Sequence, residues 1–184
     1  RVACDPGAAR IFCYSQHTMT SSTTHAGPIQ VVADALEHYA RRGVFRGFSK
    51  VSERGGKAVF RIIWHHDHKF DCVLDSAAGT LRFPELLPRV PSGSEMDKAF
   101  RAYVKSRQSE SLAEHRRIDP ARAKATVTNR GGALSLSLKV LDGDFEYGAR
   151  KLVNLVHEVF LDFLYDGRYF QYLVDVFGLD PDRY

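Results

Sequence analysis

Residues 133–165 read ALSLSLKVLDGDFEYGARKLVNLVHEVFLDFLY, and the apolar period changes inside them. Leu134, Leu136, Leu138 and Val140 alternate with Ser135, Ser137 and Lys139. A two-residue repeat puts the leucines on one face of a strand and the polar residues on the other. Asp142-Gly143-Asp144 then breaks the strand. Leu152, Leu155, Val156, Val159, Phe160, Phe163 and Leu164 follow at spacings of three and four. That is the repeat of a helix burying one side. A strand wet on one face, leading into a long apolar helix, predicts an α+β fold. The expected architecture is an antiparallel meander sheet with helices packed on one face, in the order α-β-β-β(-β)-α-β-β-α-α.

Upstream, Gly27-Pro28 opens a helix with proline in its tolerated first turn, and Ile29, Val32, Ala33, Leu36, Tyr39 and Ala40 mark its buried face. Gly43 after Arg41-Arg42 stops it. Short strands are expected over 44–52, 57–64, 69–75 and 80–83, separated by turns at 54–56, 65–68 and 77–79. Pro84, Pro88 and Pro91 read as a connection across the sheet edge. Ser94 caps a second helix, with Asp97 in the box position and Met96, Ala99, Phe100, Tyr103 and Val104 on its buried face; it ends before Asp119-Pro120. A hairpin over 123–128 and 133–141 follows, then the long helix, interrupted near Asp166-Gly167, and a short helix over 169–177.

The chain has 184 residues, 44% hydrophobic and 26% charged, which suits a single sizeable core. The reading divides it into one α+β domain over 28–184 and a disordered or spurious tail over 1–27, with Met19 as the true start. No apolar run approaches bilayer length and no secretory leader is evident, so the expected location is the cytoplasm. The net charge of +4 is a mild excess that solubility explains. Cys4, Cys13 and Cys72 are odd in number and do not make a disulfide framework. Cys72, alternating with Phe70 and Leu74, reads as a small buried residue.

Candidate chemistry is sparse. His65-His66-Asp67-His68 offers metal-ligand types, so His65, His66 and His68 are candidate ligands. Adjacent residues in an extended segment point to opposite faces, and a solvated hairpin turn also explains the run. His157-Glu158 lacks the second zincin histidine, since Leu161 stands in its place, and both read as the helix's polar stripe. Arg54-Gly55-Gly56 and Arg130-Gly131-Gly132 carry no P-loop lysine and read as turns. No nucleophile elbow and no cofactor-binding pattern emerge. Arg46, Lys50, Arg61 and Trp64 would serve a single-stranded nucleic acid if the outer sheet face gathered them.

The element order over residues 28–177 resembles the type III secretion chaperone-like fold shared by YbjN-type bacterial proteins. The residues that carry it are Asp144-Phe145-Glu146-Tyr147 and Leu152-Val153-Asn154-Leu155-Val156-His157-Glu158, which look like that group's closing helix. The resemblance implies a non-enzymatic, commonly homodimeric domain that binds other polypeptides. Secretion chaperones are typically acidic whereas this chain is basic, so a general interaction role fits better than effector binding. The aromatic C-terminal residues Phe163, Tyr165, Tyr169, Phe170, Tyr172 and Phe177 are the candidate partner surface, with burial at home as the competing reading. The expected function is a polypeptide-binding interaction module. Its alternatives are a basic single-stranded nucleic-acid-binding module and, third, a metal-dependent enzyme using the 65–68 histidines.

Overall fold

A computed structural model describes residues 26–180. The expected N-terminal tail, with Cys4, Cys13 and Met19, lies outside the described residues apart from its last two positions. Helix α1 (Pro28–Arg41) leads into four strands, β1 (Gly47–Arg54), β2 (Lys57–Trp64), β3 (His68–Asp75) and β4 (Thr80–Leu87). Helix α2 (Glu95–Ser106), the hairpin β5 (Ala123–Arg130) and β6 (Ala133–Val140), helix α3 (Phe145–Glu158), a π-helical segment (Val159–Tyr165) and helix α4 (Phe170–Phe177) complete the order. One six-stranded antiparallel sheet runs β1-β2-β3-β4-β6-β5. The first four strands form a meander. The last hairpin enters reversed, so β6 pairs with β4 and β5 forms the far edge.

The alternation that decides the fold class is realised in space. Phe60, Ile62, Phe70, Cys72, Leu74, Leu81, Phe83, Leu136 and Leu138 lie in cross-strand register and are buried. They meet Leu36 from α1, Phe100 from α2, and Leu152, Val156 and Phe160 from the long helix, all in one core. The opposite face carries Lys57, Arg61, Lys69, Arg82, Lys124 and Lys139, all exposed. The fold is therefore α+β, with helices on one side of an antiparallel sheet. Burial pushes the Cys72 thiol up to about 12, so it packs as a small apolar residue.

Local signals explain most boundaries. Ser94 Oγ accepts from the Asp97 N–H at 3.2 Å, and Asp144 Oδ1 accepts from the Tyr147 N–H at 2.9 Å. Asp97 does not close the usual box: its carboxylate accepts from the Gly93 N–H at 2.8 Å and from Arg101 Nε at 2.9 Å. Gly148 lets α3 lie close to the sheet, because a Cβ there would press into Val140 and Leu81.

Three expectations change. The first strand starts at Gly47 rather than at 44. The fourth runs past Pro84 to Leu87, because a register shift between Phe83 and Leu87 leaves the proline outside the ladder with β6. The long helix widens into π form after Glu158, where the Asp166 N–H donates to the Leu161 carbonyl, five residues back. Gly167 ends it, since a Cβ at that position would run into the Phe163 carbonyl oxygen. Backbone cannot yield as a flexible side chain does. Gly167→Ala is expected to lower stability by roughly 2 to 3 kcal/mol, read as a lower urea midpoint; an unchanged midpoint would show that the chain reroutes there without cost.

Candidate functional site

Three successive residues of the β2–β3 turn, His65, His66 and Asp67, hold positive φ angles of 38°, 60° and 62°. Each non-glycine residue so placed costs about 1 to 3 kcal/mol, and such strain persists only where the surroundings over-determine it. Here the surroundings are aromatic. The His65 ring lies flat on Phe160, with centroids 3.9 Å apart and planes 9° apart, and against Trp64 at 4.3 Å. Trp64 in turn packs edge-on against Phe45 at 4.9 Å and stacks with His157 at 5.9 Å. Phe160 belongs to the π-helical segment, so the widened helix and the strained turn are held against each other through one imidazole.

A cleft of about 620 Å³ opens beside this stack. Val44, Trp64, Phe160, Leu173 and Leu179 give it apolar walls. Leu161 and Tyr165, respectively 44% and 37% exposed, extend that surface outward. Arg46 and Asp67 stand at its rim as an exposed ion pair of 2.6 Å. Small-molecule and side-chain sites share this make-up of apolar wall with few polar groups. Burial, then the neighbouring His157 and His66, push the His65 imidazole down to about 3, and its Nε2 is enclosed without a hydrogen-bond partner. The ring is neutral at pH 7 and serves as a polar plate within an aromatic stack. What this arrangement offers chemically is a seat for an apolar group next to an ion pair.

The 65–68 histidines part company. His65 enters the stack and His66 is exposed. His68 turns toward α4, where its Nε2–H donates to the Phe177 carbonyl at 3.1 Å. Among the described residues, no three or more His, Cys, Asp or Glu side chains are grouped to share a metal ion. The turn is present as read, but His65 is half-buried in the aromatic stack rather than freely solvated. The four residues expected for nucleic acid are also separated. Arg61 lies on the outer face, tied to Asp71 at 2.8 Å, whereas Trp64 is buried under the helices. Lys50 pairs with Glu53 and Arg46 with Asp67.

Of the aromatic candidates, Phe163 and Phe177 are core residues. Phe163 packs on Phe100, Tyr103 and Tyr169, and Phe177 on Phe70 and Phe160. Tyr169, Phe170 and Tyr172 are half-buried against that core, and the Tyr172 hydroxyl donates to the Pro88 carbonyl at 2.6 Å. Tyr165 alone among them lines the cleft. Leu161 was missed by sequence reasoning. Its one sign is that it stands off the apolar stripe of the long helix. Glu158 is no solvent stripe either, because it anchors Arg107 and Arg116 at 2.9 Å each.

Comparison of the chain with models of known families, with curated proteins and with solved structures gives no match. Among the described residues no helix is long and apolar enough to cross a membrane.

Proposed function

We propose that the chain is a polypeptide-binding module of the secretion-chaperone-like class, acting in the cytoplasm and self-associating, and that the cleft beside His65 seats an apolar side chain of the bound polypeptide. The observation that carries this reading is the pairing of exposed Leu161 and Tyr165 with an apolar cleft of about 620 Å³. Scattered exposed apolar residues need no explanation, but clustered ones at the mouth of a cavity mark contact sites. The strained turn and the π-helical segment meeting at the same point add support, since both concentrate at functional places.

A photoreactive benzoylphenylalanine in place of Leu161, expressed in cells, tests it. The expected result is a discrete covalent adduct to a polypeptide, either a second copy or another chain, with none from the same group at exposed Gln30. No adduct at 161 beyond that seen at 30 would remove the cleft as a polypeptide seat. Sedimentation of the purified protein addresses self-association separately, and a monomer at high micromolar concentration would remove that part.

A further inference from the structure

The outer sheet face is unevenly paired. Over β2 and β3 two of its three cations are neutralised, Lys57 by Asp75 at 2.9 Å and Arg61 by Asp71 at 2.8 Å, and Lys69 is the exception. Over β4, β6 and β5, among the described residues, none is neutralised. Lys124 and Lys139 are direct cross-strand partners, and Thr80 continues their row. In the next row Arg82 stands opposite Ser137, which stands opposite Thr126. Arg82, Lys124 and Lys139 are exposed, and among the described residues none of them makes an ion pair or a side-chain hydrogen bond. The nearby acids Asp142 and Asp144 are engaged by Arg122, at 2.7 and 2.6 Å.

Like charges directly opposite on adjacent strands, with Cβ atoms about 5 Å apart, are destabilising. The arrangement becomes favourable when an anion lies over it. The flanking Thr80, Thr126 and Ser137 hydroxyls supply further donors to carboxylate oxygens. We propose that the outer face of β4, β6 and β5 is a docking surface for an acidic polypeptide segment, gripped by Arg82, Lys124 and Lys139. This rests on the reading of the chain as a polypeptide binder and names the chemistry of the partner. A single-stranded nucleic acid is the lesser fit, because its bases need aromatic platforms and these rows present lysine, arginine, threonine and serine alone. The chain's own N-terminal residues 1–25 contain Asp5 as their single acid, so they are a poor match for the patch.

The test uses fluorescence anisotropy of a labelled oligoglutamate peptide, with a labelled oligothymidylate of equal length as the rival. The full chain is expected to bind oligoglutamate more tightly than oligothymidylate, with affinity falling as salt rises. Arg82→Gln/Lys124→Gln/Lys139→Gln is expected to weaken oligoglutamate binding about tenfold or more, and Lys139→Gln alone by a smaller factor. Removing a repulsive pair leaves the fold intact or firmer, which thermal unfolding of both variants checks. Equal oligoglutamate binding by wild type and the triple variant, no binding by wild type, or tighter binding of oligothymidylate would each overturn the proposal. Leu161→Asp separates the two surfaces: it is expected to retain oligoglutamate binding. A failed adduct at 161 with charge-dependent peptide binding intact would sink the cleft reading alone, and the reverse pattern would sink this one alone.

Discussion

Replacing Glu158 with alanine is expected to cost roughly 3 to 5 kcal/mol. Glu158 closes α3 and is only 14% exposed at its side chain. One carboxylate oxygen accepts from Arg107 Nη1 and the other from Arg116 Nε, each at 2.9 Å. Arg116 continues to Asp162, and Arg107 lies over the Tyr103 ring at 4.4 Å. The Tyr103 hydroxyl donates to the Glu158 carbonyl at 3.1 Å, so α2, the loop after it and the start of the π-helical segment are joined at one residue. The Arg107 side chain is 12% exposed, and its Nε already lacks a partner. Without the carboxylate, a buried guanidinium keeps its charge and loses its counter-ion, which costs more than the pair contributed. Urea denaturation of Glu158→Ala should show the loss, with Glu158→Gln between it and wild type. A companion double variant, Glu158→Leu/Arg107→Met, should recover much of it, because apolar packing replaces a desolvated pair. A loss below about 1 kcal/mol in Glu158→Ala would mean that the pair behaves as a surface one.

The second large effect is acid lability centred on His65. Its imidazole ordinarily titrates near 6.5 and is pushed down to about 3 in the fold, chiefly by burial and then by His157 and His66. Above the unfolded value both states hold a neutral ring, and stability is undiminished. As pH falls from about 6.5 toward 3, the unfolded chain takes up a proton that the folded chain refuses, and stability is lost throughout that window. At about pH 5 the loss relative to pH 8 is roughly 2 kcal/mol. The charged and titratable neighbours are His157 on α3, His66 and Asp67 in the turn, and Arg46 paired with Asp67. Equilibrium unfolding at the two pH values measures the slope. His65→Asn tolerates the left-handed backbone and does not titrate, so it should flatten the slope. Equal slopes in wild type and variant, or a His65 ring that titrates near its ordinary value by NMR, would refute the assignment.

Legibility followed the range of the interactions. Leu134 to Val140 and Leu152 to Leu164 declare a strand and a helix through neighbours two, three or four positions away, and the backbone needs nothing further to sort their faces. Ser94 acts within three residues and caps as read, and Asp144, read only as part of the strand-breaking turn, caps α3 in the same way. The π-helical segment escaped because Val159, Phe160, Phe163 and Leu164 bury their side chains in either helical form. The continuation of β4 escaped because Pro84 is tolerable only where a register shift relieves it. Glu158 reads as helix surface in isolation, since its arginine partners lie 51 and 42 residues away in the chain.

By itself the sequence determined an α+β chain with one apolar sheet face, its turns and its helix caps, because periodicity and capping are local and additive. The tertiary structure alone decided where chemistry gathers. Insertion of β6 between β4 and β5 set Arg82, Lys139 and Lys124 side by side, and docking of the long helix on the β2–β3 turn drew His65 out of water. Both depend on which distant segments become neighbours. Long-range pairing is settled by the packing of the whole core, not by any window of residues along the chain.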